Sequence, residues 1–353
     1  MTRFNPRLTV EIASGTMSST SYPYDPHVEA RKKLDEEINQ IEARLVILKS
    51  ARNTLAPITR IHPEILQEIF FLVHYTSEHK GSATLLITWI SHKWRELAHN
   101  TSALWSQIDF KNPEWVEVAL SRTKNRELEF SLNNGSRRFK HSLEPLIPFT
   151  LGNLSRIKKL KVASRHGRNR MTIPGDTPEW LNPAPRLADL HLQGLVLPPN
   201  LFSGQTPCLV SLSLYSCTID WETLPVFRGL KILSISYPHS TITVDSIIKI
   251  LRLNGPHIEE LKLQNVFRSA GVASSNSSFG KAQLEKLKFL KLEEAEPIHI
   301  AQLFHYLAFP PHRMNIEIET AEWAESSLVS SLVSARNVEK WPIHHLEIKI
   351  EDI

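Results

Sequence analysis

The chain has 353 residues, 41% apolar and 22% charged, which is room for two or three modules and a globular rather than a fibrous or disordered composition. A formal charge of +4 is too mild to argue for nucleic acid, and no apolar run reaches the roughly 18 residues a membrane-crossing helix needs. Cys208 and Cys217 show no metal-ligand spacing, and Met1–Ile12 carries no long apolar leader, so the expectation is reduced thiols and a cytoplasmic or nuclear home.

In chain order, residues 1–25 are rich in Ser, Thr and Pro without periodicity and are expected to be a disordered tail. From Pro26 the pattern changes. Leu34, Ile38, Ile41, Leu45 and Leu48 alternate spacings of four and three, a heptad seam on an amphipathic, coiled-coil-like helix over 26–56. Two readings stay open for it: packing back on its own domain, or a homodimer through 26–55. Pro57 ends the helix.

Residues 57–110 form the next unit. Pro63 and Glu64 suit a first helical turn, where the proline's missing N–H costs nothing and the carboxylate meets the positive end of the dipole. Ile65, Ile69, Leu72 and Val73 lie on one face, with Leu66 and Phe70 on a neighbouring one. That is more apolar surface than a small local core needs, so another segment or another protein must cover the rest. A polar break from Tyr75 to Ala83 precedes a second apolar helical stretch from Leu85 to Ala98. Trp89 and Trp94, five apart, do not share a face of it.

From residue 111 onward the period shortens. Leu128–Leu132 alternates as a strand, and an apolar-x-x-apolar-x-apolar pattern then recurs. It runs through Leu160, Leu190, Leu212, Leu233, Leu261, Leu290, Ile316 and Leu346, with stretches 244–251, 300–307 and 323–333 as return helices. One strand–helix unit cannot bury its apolar face alone, whereas stacked units make a continuous core. The expected class is α/β with parallel strands. Ala270–Gly280 and the basic stretches Arg137–Lys140 and Arg165–Arg170 are expected as surface loops.

No catalytic, metal-ligating or cofactor-binding residue stands out. The 16 histidines include no His-Glu-x-x-His pair, and neither a CxxC nor a Gly-x-Ser-x-Gly elbow occurs. The strands instead offer a face. Residues between buried apolars point the other way, namely His191, Ser213, Ser234, Lys262, Lys291, Glu317 and Glu347. Tyr215, Lys262 and Lys291 are the candidate contacts for a protein partner, since an aromatic and long cations supply area and direction.

Two stretches carry a family likeness. Pro63-Glu64-Ile65-Leu66 with Ile69-Phe70, then Ser91-His92-Lys93-Trp94-Arg95-Glu96-Leu97-Ala98 and Thr101–Ser106, resembles the F-box of proteins abundant in mushroom-forming fungi. Leu209-x-x-Leu212-x-Leu214-x-x-Cys217-x-Ile219 resembles a leucine-rich repeat, with Cys217 in that family's Asn/Cys position. His62 and Ser91 depart from the first pattern, and Asn265 falls one place early for the second. The likeness implies an N-terminal helix, a three-helix F-box over 57–110 and an irregular leucine-rich-repeat-like solenoid over 111–353. It implies a non-catalytic, substrate-recognition subunit of an SCF-type cullin–RING ubiquitin ligase, without cofactor, nucleic acid or membrane. Pro63, Leu66, Ile69, Phe70 and Trp94 would dock on a Skp-family adaptor, while Ile65 and Ile90 would hold the helices together. The alternatives are an F-box-fold interaction scaffold outside a ligase, and an enzyme built on an α/β domain.

Overall fold

The computed structural model describes residues 26–109, 112–133, 146–163, 178–221, 227–240, 242–267, 280–295, 297–310, 314–321 and 343–351. The expected tail at 1–25, both basic stretches, most of Ala270–Gly280 and the return helix at 323–333 fall outside these. The chain divides into two compact units, Met1–Ile61 and His62–Ile353.

In the first unit, α1 (Pro26–Thr54) opens on a proline, carries Glu29 in its first turn and Arg52 in its last. Both charges oppose the helix dipole at their own end. A short 3-10 turn, Pro57–Arg60, follows.

The second unit starts with three helices, α2 (Pro63–Thr76), α3 (Lys80–Ile90) and α4 (His92–Asn100). Ser91 ends α3 and caps α4, its hydroxyl accepting the Trp94 N–H at 3.2 Å. The Asp109 carboxylate accepts the Gly81 N–H at the opposite end of α3. Trp105 is fully buried beneath α4, donating its indole N–H to the Ala98 carbonyl at 2.8 Å.

Strand β1 (Gln107–Ile108) then leads straight into the sheet by pairing with β2 (Leu128–Asn133). Helix α5 (Pro113–Arg122) crosses between them, and its Arg122 guanidinium lies 4.8 Å from the Trp105 ring. The helices of 57–110 and the strands beyond them therefore belong to one compact unit from His62 onward.

Among the described residues the sheet has ten strands, every neighbouring pair parallel and in chain order. After β2 come β3 (Ile157–Ala163), β4 (Asp189–Gln193), β5 (Ser211–Tyr215) and β6 (Ile232–Ser236). Helix α6 (Ile147–Leu151) precedes β3, and α7 (Val244–Asn254) joins β6 to β7 (Glu260–Gln264). A two-residue β8 (Ala282–Gln283) precedes β9 (Phe289–Glu293) and pairs with β10 (Leu307–Ala308) in a small separate sheet. Helix α8 (Pro297–Tyr306), β11 (Met314–Ala321) and β12 (Ile343–Glu351) complete the unit. The fold is thus α/β with a parallel sheet, as the alternation of strand and helix patterns requires.

The apolar residues of the recurring pattern form rows across this sheet. Phe130, Leu160, Leu190, Leu212, Leu233, Leu261, Leu290 and Ile316 stand opposite one another strand by strand, all buried. Buried Ile108 on β1 stands opposite Phe130 and begins the row; Leu128 lies outside it and pairs with Ile157, because the register slips after it. A second row runs from Leu132 through Val162, Leu192, Leu214, Ile235, Leu263 and Leu292 to Ile318.

A recurrent turn sits at the strand ends. Gly194, Ser216, Tyr237, Asn265 and Glu294 each follow a strand with φ of 71°, 51°, 51°, 50° and 52°. Each N–H reaches a carbonyl on the next strand, at 2.9, 2.8, 2.9, 2.8 and 3.0 Å in that order. Asn265 falls one place before the Cys217 position because it occupies this left-handed site, which asparagine tolerates.

Candidate protein-docking surfaces

Helix α2 divides its apolar residues between two faces. Leu66, Phe70 and His74, four apart, point inward, and the Phe70 ring lies 4.9 Å from that of Trp94. Ile65, Leu72 and Val73 point outward and are exposed. Helix α3 inverts the usual arrangement. Gly81, Ala83, Thr84, Ile87 and Thr88 are buried, whereas Leu86, Trp89 and Ile90 are exposed, Trp89 at 63%. Apart from Ile87, the inward residues are small and let the neighbouring helices approach closely, while Leu86, Trp89 and Ile90 are left outside.

The residues expected to dock fall on both sides of this division. Leu66 and Phe70 are 0% exposed and Trp94 8%. They form the interior of the helical cluster and offer no side-chain surface to a partner. Ile69 is half-buried, and Pro63 is exposed at the start of α2. Ile65 and Ile90, expected to brace the helices, are among the exposed residues. The signal for the second face lay in the sequence as the small-residue positions 81, 83, 84 and 88, which mark the side of α3 that packs.

His74 ties the cluster to the sheet. Its side chain is 1% exposed, with Nδ1 3.0 Å from the Thr84 hydroxyl and Nε2 3.0 Å from Gln107 Oε1. Burial holds its pKa below the ordinary histidine value, outweighing the Gln107 hydrogen bond that favours the proton.

The second surface is the polar face of the sheet. Lys161, His191, Ser213, Ser234, Lys262, Lys291 and Glu317 form one outward row, each opposite the next. Tyr215, at the end of β5, is 37% exposed, and its ring centroid lies 5.6 Å from that of Tyr237. Lys262 pairs with Glu260 at 3.1 Å and lies 5.3 Å from the Phe289 ring. Lys291 is bridged by Glu293 and by Glu317 at 3.7 Å, and the Glu293 carboxylate raises its pKa. The two lysines named as partner contacts are therefore already in ion pairs within the sheet, while Tyr215 offers an exposed ring.

Beside Tyr215 lies a polar cluster that the sequence did not announce. Tyr237 donates its hydroxyl to Glu294, and Gln264 donates to that hydroxyl at 3.0 Å. Asn265 donates to the second Glu294 oxygen. The Glu294 hydrogen bond pushes the Tyr237 phenol up to about 12. Cys217 is buried, its thiol 3.3 Å from the Leu192 carbonyl, and burial raises its pKa.

Among the described residues no group of three or more His, Cys, Asp or Glu is placed to hold a metal ion. No described helix is long and apolar enough to cross a membrane. A scan against protein-family models and a search of curated proteins return no match for this chain.

Proposed function

We propose that this chain is a protein-recognition adaptor of the F-box type. It would join a Skp-family adaptor, and through it a cullin, to a protein substrate for ubiquitin transfer. The observation that carries the reading is the inversion of α3. Leu86, Trp89 and Ile90, with Ile65 and Leu72 on α2, stay in water while α3 turns mostly small residues inward. Exposed apolar side chains of this size on two short helices mark a surface meant for another protein. On this reading the adaptor contact passes from the buried Leu66, Phe70 and Trp94 to that outer face.

The strands support a leucine-rich-repeat-like solenoid as the second half of the device. Parallel strands in chain order, apolar rows in register and a left-handed turn recurring at the strand ends all accord with stacked units. The polar face around Tyr215 then holds the substrate, and the protein acts by raising its local concentration beside the conjugating enzyme, without chemistry of its own.

Co-expression of the full chain with a Skp-family adaptor tests this. The adaptor co-purifies with the native chain, and Leu86→Asp/Trp89→Asp abolishes capture without loss of helicity or cooperative unfolding. A folded chain that captures no Skp-family adaptor removes the ligase assignment. If the same face then retains another protein, the scaffold alternative takes its place.

A further inference from the structure

Helix α1 carries a seam of its own. Leu34, Ile38, Ile41, Leu45 and Leu48 lie along one side of it and are 45–60% exposed. We propose that this seam pairs two copies of the chain as an antiparallel coiled coil. The proposal stands on α1 alone and does not rest on the adaptor reading.

The charges beside the seam choose both the partner and its direction. Ile38 and Leu45 share their heptad position with Arg31 and Arg52, and Leu34, Ile41, Leu48 and Leu55 share the other. Asp35, Glu42 and Lys49 flank one side, Glu37 and Arg44 the other. In a parallel, in-register pair, Glu37 meets Glu42 of the partner copy and Arg44 meets Lys49 of the partner copy. Each contact occurs twice, and every charged flank contact is between like charges. Arg31 and Arg52 would also meet their own counterparts inside the seam.

An antiparallel pair centred near Ala43 removes most of this conflict. Ile41 packs on Leu45 of the partner copy and Ile38 on Leu48 of the partner copy, giving four wholly apolar layers. Arg31 and Arg52 face Leu55 and Leu34 of the partner copy, so their aliphatic stems cover leucine while the guanidinium groups reach water. Asp35 meets Lys49 of the partner copy twice, as opposite charges. Only Glu42 and Arg44 meet their own counterparts, once each. The arrangement is self-complementary, as a two-fold pair requires. It also sends the two chains out at opposite ends, with the Leu55 positions roughly 36 Å apart along the axis.

Light scattering on the full chain tests the pairing, and charge reversal tests its direction. The native chain is expected to be dimeric at about 100 μM, where an association of micromolar strength is nearly complete. Ile41→Asp is expected to leave it monomeric. Lys49→Glu separates the orientations. In the antiparallel pair it sets the introduced carboxylate against Asp35 and weakens association by about tenfold. In the parallel pair it would set that carboxylate against Arg44 and strengthen association. Asp35→Lys added to Lys49→Glu restores the dimer. A spin label at Lys33→Cys in a Cys208→Ser background should report a separation of roughly 30 Å or more, the axial offset of that position from its counterpart. A native chain that stays monomeric overturns the proposal, as does a tighter Lys49→Glu dimer or a label distance under about 20 Å.

Discussion

At the residue scale, His74 shows how a single buried polar side chain couples two layers. Its ring bridges Thr84 on α3 and Gln107 on β1, in an interior that disfavours the charged imidazole. The native pKa lies below the unfolded value of about 6.5. As pH falls, the unfolded chain therefore takes up the proton first. The contribution of His74 is complete above about pH 6.5 and is lost as pH drops through the lower native pKa. Urea midpoints measured between about pH 8 and pH 5 should fall more steeply for the native chain than for His74→Gln. His99 and His191, also lowered by burial, remain in both proteins and supply the common background slope. Equal slopes would show that His74 is not buried as described.

At the scale of elements, α2 and α3 each present two faces, and stability and docking should separate between them. Leu66→Ala empties a fully buried position and should cost about 2–5 kcal/mol in chemical denaturation. Trp89→Ala removes an exposed side chain and should change stability by no more than about 0.5 kcal/mol, while weakening capture of a Skp-family adaptor. The reverse pattern, a stable Leu66→Ala and an unfolded Trp89→Ala, would overturn the assignment of faces. This division was only half legible in the sequence. Helical spacing gives two apolar stripes on α2, separated by one position, and either could pack. Which one does depends on α4, whose Trp94 meets Phe70 from far along the chain.

At the scale of the whole molecule, the division at Ile61/His62 places the three helices with the sheet. The link is specific. Strand β1 pairs with β2, Gln107 donates to Glu129 at 3.0 Å, and Arg126 donates to Ser102 at 2.8 Å. A chain of residues 62–353 should therefore unfold cooperatively with a midpoint close to that of the full chain. A chain beginning at 111 should lose that transition, because it exposes the buried side of β2 and leaves Arg122 without Trp105. An unchanged transition for 111–353 would support the boundary expected there from the sequence.

The sequence by itself determined the longer strands, their parallel class and the buried rows, but not the two-residue β1, β8 and β10. Alternation with a period of two assigns a side to every residue, and a one-residue slip would turn each apolar row to water. It also determined the seam of α1, whose charges are set by spacing alone. Tertiary structure decided which face of α2 and α3 is buried and that Lys262 and Lys291 are already paired. It also brought Tyr237, Gln264, Asn265 and Glu294 together at the strand ends. Each of those outcomes depends on side chains distant in sequence, and helical or strand periodicity carries no information about what stands opposite.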